Sequence, residues 1–95
     1  MRVPVVMYDP HLQTLAAIRF ARSLDPRKGA AHLDAIATDS LFAGELLAAA
    51  AELYEQVGDC ERAADRYRKA AKAMLWSERA REFAIRAYEL EHAHP

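Results

Sequence analysis

The chain has 95 residues, 53% of them hydrophobic, and 13 basic against 14 acidic side chains leave a formal charge of −1. That balance excludes a global excess of charge that would draw the protein onto nucleic acid or anionic lipid, so any partner has to be recognised by local patches. A lone cysteine, Cys60, excludes an internal disulfide and fits a reducing cytoplasm. No apolar run approaches the roughly 18 to 20 residues that a membrane span needs.

The first eight residues, MRVPVVMY, carry Val3, Val5, Val6, Met7 and Tyr8. They favour extended backbone and are too short for the apolar region of a signal peptide. An arm laid along the helices, or a strand exchanged across a dimer, is the expectation for residues 1–8. Asp9-Pro10 is a helix start, because an Asp oxygen accepts orphan amides and Pro at the first helical position loses no bond. The first helix is expected to run to about Leu24, where Asp25-Pro26 stops it. A second, from about Arg27 to Ala37, has Leu33 and Ile36 as its large apolar residues and is weakened by Gly29.

Thr38-Asp39-Ser40 offers N-cap oxygens to a third helix, Leu41 to Val57, whose apolar residues recur at spacings of three and four. Gly58 can take the left-handed conformation that ends it, and Asp59 can cap the next helix. The fourth helix, to about Leu75, has the cleanest stripe: Cys60, Ala63, Ala64, Tyr67, Ala70, Ala71, Met74 and Leu75, with Arg62, Asp65, Arg66, Lys69 and Lys72 facing away. Ser77 caps a fifth helix to about Glu91, with Ala80, Phe83, Ala84, Ala87 and Tyr88 on its apolar side. The prediction is an all-α fold of five helices in residues 9–95, with connections short enough for antiparallel neighbours.

A shift of 34 residues superposes Phe20, Tyr54 and Tyr88; Ala16, Ala50 and Ala84; Leu12, Leu46 and Ala80; Leu33 and Tyr67; Leu41 and Leu75; and Asp25 and Asp59. With that period the chain resembles the tetratricopeptide repeat family of 34-residue helix-turn-helix units. The match is best from Gly44 to Ser77. Leu47, Ala50, Ala51 and Tyr54 stand at the first-helix signature positions, Ala63, Tyr67 and Ala70 at those of the second helix, and Gly58-Asp59 in the turn. Leu47 replaces the family's Trp, Ala51 its Gly and Leu75 its closing Pro. The resemblance implies about two hairpins and a last unpaired helix covering the second. It also implies that Phe20, Tyr54 and Tyr88 fill equivalent gaps.

In such a stack the first helices of each unit line a concave groove. The resemblance therefore implies partner-binding positions at Glu45, Ala48, Glu52, Glu55 and Gln56, at Ile18 and Arg22 upstream and at Arg86 downstream, together with His11, Thr14, Arg79, Glu82 and Glu89. Three carboxylates on one face suit a peptide with basic residues, a helical one included. Thr14, Ile18, Ala48 and Glu52 stand where some family members have the Lys and Asn that clamp a terminal carboxylate, so that ligand class is not expected.

Other chemistry is poorly supported. Cys60 on an apolar stripe is an inert thiol. His92-x-His94, His11 and His32 lack ligand spacing, and Gly29, Gly44 and Gly58 make no phosphate loop. No cofactor or metal is expected. The expected function is a non-catalytic protein-interaction module, an adaptor or regulatory subunit. A homo-oligomerisation domain and a small DNA-binding domain using Arg62, Arg66, Arg68, Lys69 and Lys72 are the alternatives.

Overall fold

The computed structural model describes residues 10–92; the expected N-terminal arm, Asp9 and His94 lie outside them. Five helices follow in order: α1 (Pro10–Arg22), α2 (Pro26–Ala37), α3 (Ala43–Gln56), α4 (Cys60–Ala73) and α5 (Arg79–His92). Among the described residues there is no strand. Each helix packs on the next in the chain, and α1 also touches α3. The order of contacts along neighbouring helices makes them antiparallel: Gly29 of α2 meets Leu53 near the end of α3, and Gly44 at the start of α3 meets Met74 just past α4.

Local chemistry explains most boundaries. Gly58 adopts φ +77 and ends α3, because a left-handed residue there lets the Asp59 amide donate back to the Tyr54 carbonyl at 2.9 Å. Asp59 then caps α4, accepting from the Arg62 amide at 3.1 Å and from its guanidinium at 2.7 Å. Ser77 accepts the Arg79 amide at 3.2 Å and opens α5. The oxygens that Thr38, Asp39 and Ser40 offer do not cap α3. Asp25 makes no side-chain cap to α2, and the N-cap of α3 is Phe42. Ser40 accepts the Phe42 amide at 3.0 Å instead, which sharpens the turn and delays α3 by two residues.

The centre of the core is α3. Its Leu46, Ala49, Ala50, Leu53 and Tyr54 are buried on the side that carries the Leu53 contact with α2, and Gly44, Ala48 and Ala51 are buried on the side that meets α4. Small side chains make this two-sided burial possible. Gly29 is part of the same device: a β-carbon built on it would stand 2.3 Å from the Ala21 carbonyl oxygen and 3.1 Å from Leu53 Cδ1. What weakens α2 in isolation is what lets α1 and α3 close on it.

The aromatic equivalence fails. Tyr54 is 7% exposed, whereas Phe20 is 54% and Tyr88 64% exposed. One pair of contacts keeps the 34-residue spacing. Phe20 meets His32 edge-on with centroids 5.3 Å apart, and Tyr54 has the Arg66 guanidinium 5.4 Å from its centroid. His32 and Arg66 are themselves 34 residues apart. Tyr54 has a helix on both sides, while Phe20 lies on the first helix and Tyr88 on the last. The same end effect exposes Ala84, assigned above to the apolar side of α5, where Leu90 is buried instead. Leu75 falls beyond the end of α4 and is exposed, and Leu41 precedes α3 and is exposed.

Two outcomes follow. Gly29→Ala should cost about 1 to 3 kcal/mol of stability by overpacking against backbone. Gly44→Ala, whose new β-carbon meets the flexible Met74 side chain, should cost less; equal losses in urea unfolding would contradict this packing. At the turn, the Arg62 guanidinium and then the Arg62 amide hold the Asp59 carboxyl below its ordinary range. Its stabilisation is therefore complete above the unfolded-state pKa of about 4 and disappears as pH falls through the lowered folded value. Asp59→Asn should flatten the stability profile below about pH 4; an unchanged acid limb would remove Asp59 as its source.

Candidate interaction surface

The residues expected to form an acidic groove come together, but not as free carboxylates. Glu52 on α3 accepts from Arg22 of α1 at 3.3 Å. Glu55 takes both nitrogens of a fork from Arg86 of α5, Nε at 2.7 Å and Nη2 at 3.1 Å. Glu45 lies 4.0 Å from His11 Nδ1. The predicted positions from three helices thus share one row, and the charges that were to bind a basic peptide tie α3 to its neighbours. Ala48 is 3% exposed and packs inside the stack, so it is not a partner-binding residue. Its place on α3, one turn from Gly44, directs it toward α4. Ile18 is half-buried, and Gln56 remains exposed.

Tyr67 of α4 reaches the same row from below. Burial pushes its hydroxyl well above the usual tyrosine range, and the Glu55 and Glu52 carboxylates add to that. The ring stacks on Phe83 of α5 with centroids 5.8 Å apart.

A second cluster was not anticipated. The Tyr54 hydroxyl donates to Asp34 Oδ2 at 2.8 Å, and Arg66 Nε donates to Asp34 Oδ1 at 2.9 Å. Arg66 also pairs with Asp65. This group joins α2, α3 and α4, and its arginine is one expected on the outward basic face of α4. The same face is neutralised elsewhere: Lys69 pairs with Asp65 at 3.2 Å, and Arg68 pairs with Glu91. The signal in sequence was Tyr54 itself, since a buried tyrosine hydroxyl needs a partner.

A cavity of about 450 Å³ opens between the start of α1 and the α2–α3 turn, with Ala17, Ile36, Leu41, Phe42 and Leu46 among its lining. Its polar groups come from Gln13, Thr14, Asp39 and Ser40. Among the described residues no three His, Cys, Asp or Glu side chains converge as metal ligands. No described helix is long and apolar enough to cross a membrane. Cys60 is half-buried at the start of α4.

What the surface does offer is apolar side chains at the ends of the stack. On α1, Leu15, Ala16 and Phe20 are exposed, and their counterparts 34 residues on, Ala49, Ala50 and Tyr54, are buried under α2. On α5, Ala84, Ile85 and Tyr88 are exposed, whereas Ala50, Ala51 and Tyr54 are covered by the flanking helices. Each terminal helix presents the face that an inner helix buries. Comparison with protein-family models, curated proteins and solved structures gives no match.

Glu55→Arg should lower stability by up to about 1 kcal/mol by opposing Arg86, and Arg86→Glu added to it should recover most of the loss. A double-mutant cycle with no coupling between positions 55 and 86 would show that the fork has no energetic role.

Proposed function

We propose that this protein is a non-catalytic interaction module of the tetratricopeptide-like kind, an adaptor or regulatory subunit of the cytoplasm that holds a partner helix against an open end of its stack. One observation carries the reading: Leu15, Ala16 and Phe20 of α1 are exposed in the register at which α3 buries Ala49, Ala50 and Tyr54 against a neighbouring helix. A surface already shaped to receive a helix inside the molecule has the small and aromatic residues to receive one from outside it, in the manner of helix-in-groove recognition. Exposed aromatic and aliphatic side chains at such a face are the side chains from which interface anchors are drawn.

The partner chemistry differs from that expected of the acidic row. With Glu45, Glu52 and Glu55 facing His11, Arg22 and Arg86, a basic peptide would have to displace intramolecular partners. An amphipathic helix presenting an apolar stripe fits the ends better. A nucleic-acid role is disfavoured by the pairing of Arg66, Arg68 and Lys69 with Asp34, Asp65 and Glu91.

Site-specific photocrosslinking in the source cell tests this. A photoreactive phenylalanine analogue replacing Phe20 or Tyr88 should give discrete protein adducts, and one replacing Glu52 or Gln56 should give few. Adducts confined to positions 52 and 56 would return binding to the row of first helices and overturn the end-on reading.

A further inference from the structure

Resting on the reading that the ends are the binding surface, we infer that the occupant of the α1 face is a second copy of this chain, docking through the outer face of its α5. The two ends are complementary in the terms that matter for helix packing. The α1 face offers Leu15, Ala16 and Phe20, and the α5 face offers Ala84, Ile85 and Tyr88. Each set holds one alanine for close approach, one aliphatic side chain and one ring.

Charge argues against pairing two α1 faces. Helix α1 contains no carboxylate; Arg22 is held by Glu52, and Arg19 is exposed on the outer side. On α5, Arg86 and Glu91 are held by Glu55 and Arg68. Glu82 and Glu89 remain exposed on either side of Ile85, with Arg81 beside them. Two α1 faces brought together would set Arg19 against Arg19 with no opposite charge on either helix. An α1 face on an α5 face offers Arg19 the carboxylates of Glu82 and Glu89, two against the single like charge of Arg81. The favoured contact of the α1 face is therefore heterologous: each association covers one α1 and one α5 and leaves another of each exposed. It continues the pile of helices across molecules, as open chains or as a ring.

The contact is small. Phe20 and Tyr88 each cover about 150 to 250 Å² when fully buried, and one helix laid on one helix stays under the roughly 1,200 Å² of weak complexes. Self-association is accordingly reversible and concentration-dependent.

Sedimentation velocity on the full chain tests the proposal with two variants, one with Leu15→Glu and Phe20→Glu, the other with Ile85→Lys and Tyr88→Lys. All four positions are exposed, so helix content measured by circular dichroism should be retained. The wild type should show a mean mass that keeps rising with concentration. Each variant alone should associate at least about tenfold more weakly. Their equimolar mixture should form a one-to-one dimer and stop there, because it holds one intact face of each kind. As a second readout, Phe20→Cys and Tyr88→Cys chains, both carrying Cys60→Ser, should join by a disulfide when mixed and oxidised. A wild type that stays monomeric overturns the inference. So does a single-face variant that associates as the wild type does, since a two-fold contact would then be in use. Photoadducts at positions 20 and 88 to some other protein, with a monomeric wild type, would defeat this inference and leave the interaction reading standing. The absence of any adduct there would defeat both.

Discussion

Everything in this molecule depends on a helix that can be buried on two sides at once. Helix α3 accepts α2 on the side of Leu46, Ala49, Ala50 and Leu53 and α4 on the side of Gly44, Ala48 and Ala51. Only a helix with so little side-chain bulk lets two neighbours approach while keeping interior packing dense. The remaining apolar bulk is supplied from outside it, by Leu33 of α2, Tyr67 and Met74 around α4, and Phe83 of α5. Gly29 extends the same logic one helix further, to the contact between α1 and α2.

Two consequences shape the surface. Because α3 is inner, its open strip is the one carrying Glu52 and Gln56, with Glu45 and Glu55 half-buried at its margin. Because α1 and α5 flank it there, their basic side chains reach those carboxylates. The ion pairs of the row are thus a by-product of stacking, and exposed pairs of this kind contribute little free energy each. The polar cluster of Asp34, Tyr54 and Arg66 is different, since it is only partly exposed and ties three helices at one point. Removing Asp34 would leave a phenol and a guanidinium short of an acceptor, which is costlier than the bonds are stabilising.

How much of this was legible in sequence follows from the range of the interactions involved. The Gly58-Asp59 turn, the Ser77 start and the Ala63, Ala64, Tyr67, Ala70, Ala71 and Met74 part of the α4 stripe are decided within a few residues and appear where the sequence places them, whereas Leu75 falls past the helix end and Arg66 turns inward to Asp34. Five helices with antiparallel neighbours followed from apolar spacing and short connections. Exposure at the ends was not legible, because Tyr88 and Ala84 carry the same local pattern as Tyr54 and Ala50, and the difference is whether another helix exists to cover them. For the same reason Ala48 was assigned to the groove: a helical wheel fixes angles between residues on one helix, but it does not fix where the neighbouring helix sits. The pairings of Glu52 with Arg22 and Glu55 with Arg86 span about thirty positions and depend on the lateral spacing of helices. Gly29 misled in the other direction, since its low helix propensity is a local property and its value lies in a tertiary contact.

The two-sided burial of α3 makes a direct statement about the energetics of opening. Amides of α3 should be released only by unfolding of the whole stack, while α1 and α5, each packed on one side, should open in smaller steps. Native-state amide hydrogen exchange resolved by residue tests this most directly. The account predicts that protection is highest in α3, close behind in the flanking α2 and α4, and lower in α1 and α5. Protection in α1 or α5 equal to that of α3, or early exchange along the Ala48–Ala51 run, would contradict it.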